Sequence, residues 1–145
     1  MWVWFVILII LMIFIVTEVQ YGQFPIYIGQ SQIHGRGMFA SRDIKAGETI
    51  EYVPIVLFER QDIKPGTILR DYDITFNDNG MSAFMLGYGA IYNHSFKNNA
   101  EWFFKNEKTM IIRANKDIKR DSEIFVNYGE GYWNHRPGKY IDPVE

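Results

Sequence analysis

The first sixteen residues, Met1 to Val16, are apolar without interruption, and the first charge is Glu18. No polar stripe breaks the run, so it does not suit a helix lying half-exposed on a soluble core. As a helix it would be about 24 Å long, somewhat short of the roughly 30 Å hydrocarbon layer of a bilayer. Adding Thr17 and slight thinning of the bilayer make spanning feasible. Trp2 and Trp4 suit one membrane interface and Tyr21 the other. The rival reading is a cleaved signal peptide, but the run lacks a basic leader and has no small-residue cleavage site behind it. The expectation is an uncleaved anchor over residues 1–20, touching the membrane through residues 1–17. The first basic residues after it are Arg36, Arg42 and Lys45. They place the following domain on the cytosolic side of a single-pass membrane protein.

The rest of the 145-residue chain has ordinary soluble composition and is long enough to bury a core. Fifteen basic residues against seventeen acidic ones give a net charge of −2, which argues against direct nucleic-acid binding. The absence of cysteine excludes disulfides, cysteine nucleophiles and cysteine-ligated zinc. His34, His94 and His135 are far apart and show no metal-ligand spacing.

Residues 21–33 read as a linker and a first edge strand containing Pro25. Gly35 to Gly37 is a turn, and Met38 to Ala40 is a short strand. The turn Asp43 to Gly47 leads into a β-branched and aromatic stretch, Glu48 to Phe58, expected to be a strand broken at Pro54. Gln61 to Asn79 is polar, with turn signals at Pro65-Gly66 and Asn79-Gly80. Gly87, Gly89 and Ala90 permit close backbone approach. Trp102 to Phe104 and Thr109 to Arg113 form a hairpin, and Glu123 to Tyr128 is a last strand. With one helix or two at most, the fold class is mostly β within α+β.

Three segments carry chemistry. In GRGMFA (35–40) two glycines flank an arginine, so a ligand can lie against backbone, although alone this is a tight turn. GYGAIYNHSFKNN (87–99) is dense in hydrogen-bonding groups that are costly to bury unpaired. Its Asn93-His94-Ser95 also matches a glycosylation sequon, which would require a lumenal domain. In SEIFVNYGEGYW (122–133) a strand ends in Tyr-Gly and more aromatics follow, a pattern that also suits core packing.

In this order and spacing the three segments resemble the SET domain, a family of S-adenosylmethionine-dependent protein-lysine methyltransferases. DIKAGETI and NKDIKRDSEI are similar to its recurrent turns. The resemblance covers about residues 34–137, leaves 138–145 as a tail, and is nearest to compact viral and bacterial members without cysteine-rich flanks. It implies small curved sheets whose C-terminal segment is threaded under a loop. It places Arg36, Gly37 and Met38 beside S-adenosylmethionine, Asn93 and His94 at its adenine, and Trp133 as a stacking residue. Tyr128 matches the family's catalytic tyrosine. Tyr72, Tyr88 and Tyr132 are expected to line the lysine channel, with Phe76 competing for the place of Tyr72.

The chemistry fits those residue types. A lysine must lose its proton before it can attack the sulfonium methyl, and an aromatic channel disfavours the ammonium form. Tyrosine faces also attract cations. The resemblance implies a protein substrate with an exposed lysine, a histone tail being one class, and compact relatives are often homodimers. Two departures stand out: Asn98 replaces a proline before Asn99, and Asp121-Ser122 replaces a glycine before Glu123. The alternatives of a different class are a non-catalytic binding module and a membrane adaptor.

Overall fold

The computed structural model describes residues 24–133. The apolar run expected as an anchor and the expected tail lie outside the described residues. Among the described residues no helix is long and apolar enough to cross a membrane.

Glycine, proline and Asx turns cut the chain into short extended pieces. These are β1 (Ile26–Gln30), β2 (Arg36–Ala40), β3 (Thr49–Glu59), β4 (Asp73–Thr75), β5 (Met81–Met85), β6 (Asn93–His94), β7 (Ala100–Asn106), β8 (Thr109–Ala114) and β9 (Glu123–Val126). One short helix, α1 (Glu130–Trp133), follows, and 3-10 turns occupy Arg60–Asp62, Ile68–Asp71 and Gly87–Ile91. The strands form two sheets, ordered β1-β2-β9-β6 and β4-β5-β3-β8-β7. The core between them includes Met38, Ile50, Val53, Tyr92, Ile112, Ile124 and Val126, all at most 1% exposed.

In the first sheet β9 lies between β2, to which it is antiparallel, and β6, to which it is parallel. Three distant stretches of sequence are thereby brought side by side. Asn99 secures the arrangement. Its side chain donates to the Glu123 carbonyl at 2.8 Å and accepts from the Phe125 N–H at 2.7 Å, as a neighbouring peptide group would.

Strand β3 runs through Pro54 without the expected break. Its first half pairs with β8 as far as Pro54, and its second half pairs with β5 from Ile55 onward. Pro54 stands at this hand-over, where its missing N–H breaks no ladder, and its carbonyl still accepts from Leu86. The polar stretch 61–79, expected to be turns, also holds β4, whose pairing with β5 is settled by contacts across the sheet.

The two recurrent turns form a clasp with approximate two-fold symmetry. Ile44 and Ile118 exchange both main-chain hydrogen bonds at 2.9 Å. Asp43 accepts from the Arg120 N–H and pairs with Lys119, while Asp117 accepts from the Ala46 N–H and pairs with Lys45. Gly47 (φ 84°) has Asp121 (φ 63°) as its counterpart. The glycine missing from the second turn is thus replaced by the one non-glycine residue with positive φ among the described residues. Aspartate is among the residues that tolerate this conformation best, and here its carboxylate also accepts from the Tyr27 hydroxyl at 3.0 Å.

Candidate active site

Gly37 lies on β2 beside the side chain of Glu123, which reaches it from the start of β9. A Cβ at position 37 would run into the Glu123 carboxylate, 2.8 Å from its Cδ and 3.0 Å from Nδ2 of Asn93. Glycine is required here by close approach. The space a side chain would fill holds a network that joins the three segments. Nδ2 of Asn93 donates to Oε1 of Glu123 at 2.8 Å and to the carbonyls of Arg36 (3.1 Å) and His34 (3.4 Å). Oε2 of Glu123 accepts from the Ser31 hydroxyl at 3.0 Å. The Asn93 side chain therefore holds the glycine-arginine turn in place.

His94 is buried beside it, and its Nδ1 accepts from the Tyr128 N–H at 2.9 Å. An imidazole nitrogen that accepts is unprotonated, which sets the tautomer. Tyr128 follows β9, and its hydroxyl donates to the Tyr92 carbonyl at 2.5 Å. Burial pushes the Tyr128 phenol well above its ordinary range, and the Tyr132 and Tyr72 phenols and Glu123 add to the effect. The hydroxyl keeps its proton at neutral pH, and that proton is committed to a carbonyl. What Tyr128 has left to offer is its oxygen lone pairs.

An aromatic cluster surrounds this tyrosine. Trp102 and Trp133 stack near-parallel to its ring, at centroid distances of 5.6 and 6.2 Å. Tyr132 meets it edge-on at 4.9 Å and His94 lies at 5.2 Å. The short helix α1 places Tyr132 and Trp133, and the Tyr132 hydroxyl donates to the Asp71 carbonyl at 3.3 Å. That bond ties α1 to the segment carrying Tyr72.

Residues 35–129 match the SET domain. The chain belongs to the SET-domain family. The histone-lysine N-methyltransferase specific for H3 lysine-37 of Schizosaccharomyces pombe is 28% identical over 113 residues, covering 75% of this chain and 76% of the yeast protein. The crystal structure of a candidate histone methyltransferase of Plasmodium falciparum is 34% identical, with a TM-score of 0.65 over 77% of this chain and 98% of that one. Polycomb Repressive Complex 2 of Chaetomium thermophilum, in an autoinhibited conformation bound to S-adenosylmethionine, shares the fold at 24% identity and TM-score 0.59. There the match covers 72% of this chain and 15% of that one.

The methyl donor of a SET methyltransferase is S-adenosylmethionine, and the site's residues fit it chemically. A sulfonium is a cation without hydrogen-bond donors, and the cluster around Tyr128 offers aromatic faces. Trp133 would hold the adenine by stacking, beside Asn93 and His94 on β6, an edge strand of its sheet.

Of the expected residues, the structure joins Gly37, Asn93, His94, Tyr128, Tyr132 and Trp133 in one continuous set of contacts. Tyr72 is among the groups acting on the Tyr128 phenol, whereas its competitor Phe76 packs edge-on against Phe104 at 4.8 Å. Met38 is fully buried in the core and paired on both sides within its sheet, so the structure does not present it to a ligand. Tyr88 is 43% exposed and its ring makes none of the aromatic contacts of the cluster. Sequence reasoning missed Trp102, Glu123 and Asn99. Trp102 was legible as the aromatic at the start of the hairpin strand; the other two act through partners that only the fold brings near. Among the described residues no cluster of His, Asp or Glu could hold a metal ion.

Proposed function

We propose that this SET-domain protein-lysine methyltransferase acts on a lysine ε-amine held in an aromatic channel formed by Tyr128, Tyr132 and Tyr72, with a histone tail as its substrate class. The observation that carries the reading is the commitment of the Tyr128 proton to the Tyr92 carbonyl. The phenol oxygen is then an acceptor aimed away from that carbonyl, suited to an amine N–H or to the polarised hydrogens of a methyl group. S-adenosylmethionine supplies the electrophilic methyl. The chain supplies position and environment. The aromatic lining disfavours the ammonium form of the incoming lysine and so favours the neutral nucleophile. Tyr128 orients the amine in line with the methyl, and such orientation alone contributes several orders of magnitude in rate. Since its phenol stays protonated, the lysine proton leaves to solvent before transfer.

Histone lysine is supported as the substrate class by the relatives whose names specify it. The membrane tether is supported by the apolar run of residues 1–16, and cytosolic exposure of the domain by Arg36, Arg42 and Lys45.

The test is methyl transfer by the full-length chain in mild detergent, with labelled S-adenosylmethionine and core histones. Wild type should label a histone lysine, and Tyr128→Phe should lose about a hundredfold in kcat by misplacing the amine. Equal rates for the two would sink the assigned role of Tyr128. Cofactor binding with no transfer to any histone or lysate protein would point to a binding module.

A further inference from the structure

Strand β3 carries a carboxylate where its neighbours are apolar. Glu51, Val53 and Ile55 share the buried face, and Glu51 is only 3% exposed. A bulge at Ile50 turns both Ile50 and Glu51 inward. For stability alone this is a poor choice, because a buried carboxylate costs free energy that an aliphatic side chain would not. Burial accordingly raises its pKa, against the hydrogen bond from the Tyr92 hydroxyl, which donates to Oε2 at 3.0 Å. The Tyr88 N–H acts on the carboxylate in the same opposing sense.

Tyr88 is the second residue of the 3-10 turn Gly87–Ile91, and Tyr92 caps its end. Tyr92 is 1% exposed, and its carbonyl is the acceptor of the Tyr128 hydroxyl. The connection is therefore continuous from a buried acid, through the side chain and then the carbonyl of Tyr92, to the catalytic phenol.

We propose that Glu51 is a positioning residue for methyl transfer: by holding the side chain of Tyr92, which caps the Gly87–Ile91 turn, it fixes the Tyr92 carbonyl, and through it the direction of the Tyr128 hydroxyl. This rests on the methyltransferase reading above. It gives the second tyrosine of the GYGAIYNHS segment a task distinct from cofactor binding.

Three variants of the full-length chain test it: Tyr92→Phe, which removes only the hydroxyl, Glu51→Ala, and the conservative Glu51→Gln, which can still contact both partners. The readouts are kcat and KM with core histones, and the 13Cζ resonance of Tyr128. Tyr92→Phe and Glu51→Ala should each lower kcat by about tenfold through misorientation, with KM for S-adenosylmethionine within about twofold of wild type. Both should displace the Tyr128 resonance, whereas Glu51→Gln should stay near wild type in each readout. Should Glu51→Ala fail to fold, Tyr92→Phe decides. A Tyr92→Phe enzyme with unchanged kcat and an unmoved Tyr128 resonance would overturn the proposal. A wild-type chain that transfers no methyl would defeat the functional reading instead, and the resonance would then decide the positioning role alone.

Discussion

Replacing Gly37 with alanine is expected to break the junction between β2 and β9. The new methyl group would occupy the place of the Glu123 carboxylate, so that carboxylate must leave. Its departure removes the hydrogen bonds from Asn93 (2.8 Å) and Ser31 (3.0 Å). Hydrogen bonds to a charged acceptor contribute about 1.5 kcal/mol each at the low end, giving about 3 kcal/mol in gross terms. Partial resolvation of the carboxylate lowers the net loss to about 2 kcal/mol. Glu123→Ala removes the same two bonds and should cost a similar amount. The double variant should then cost little more than either single one, because no carboxylate remains to be displaced. The coupling between the two sites is expected to be about 2 kcal/mol. The assay is urea denaturation of the purified full-length chain in mild detergent, followed by tryptophan fluorescence. Each single variant should also weaken S-adenosylmethionine binding, because Asn93 and the Arg36 turn lose their common anchor. Additive losses, within about 0.5 kcal/mol, would refute the reasoning, since independent sites behave that way.

Other outcomes follow from single contacts. Asn99→Ala strands the Glu123 carbonyl and the Phe125 N–H and should cost about 3 kcal/mol in denaturation. Asn99→Asp should recover less than half of that, since a carboxylate can accept from Phe125 but cannot donate to Glu123. Asp121→Gly should raise stability by about 0.5–1 kcal/mol by relieving the left-handed backbone, whereas Asp121→Ala should lower it. Thermal unfolding distinguishes the signs, and destabilisation by glycine would show that the Tyr27 contact outweighs the strain. The raised pKa of Glu51 also has a defined sign. Its contribution to stability is complete below the ordinary carboxylate range and fades as pH rises through its raised value. Glu51→Gln does not titrate, so its melting temperature relative to wild type should climb from pH 4 towards pH 8. A constant difference across that range would show that burial does not govern the Glu51 carboxyl.

Much of the fold was legible because short strands with strong turn signals leave few alternatives. The hairpin of β7 and β8 and the last strand β9 stand near where alternation and turn chemistry place them. Pro54 misled because a proline's effect depends on which neighbour needs its N–H, and β3 changes partners at that residue. Strand β4 was hidden for a related reason: Asp73 to Thr75 are too few to show an alternation, although Ile74 and Thr75 are β-branched, and their pairing with β5 appears only in the fold.

At the site, the resemblance of their segments to the SET domain pointed to Gly37, Asn93, His94 and Tyr128; taken singly, those segments read equally as a tight turn, a polar loop and core packing. Their relation was not written there. Glu51 shares a face with Val53 and Ile55 by alternation, but the bulge that brings Ile50 inward beside it and the Tyr92 hydroxyl that meets it appear only in the fold. Glu123 reads as a surface acid, yet it fills the space that Gly37 leaves open and ties three segments together. The sequence by itself determined the β-rich class, the absence of cysteine chemistry and the places of β7, β8 and β9, because these follow from composition and local periodicity. Only the tertiary structure decided what Tyr128 can do. A phenol is donor or acceptor according to where its proton goes, and that proton goes to the carbonyl of Tyr92, a residue thirty-six positions away in sequence.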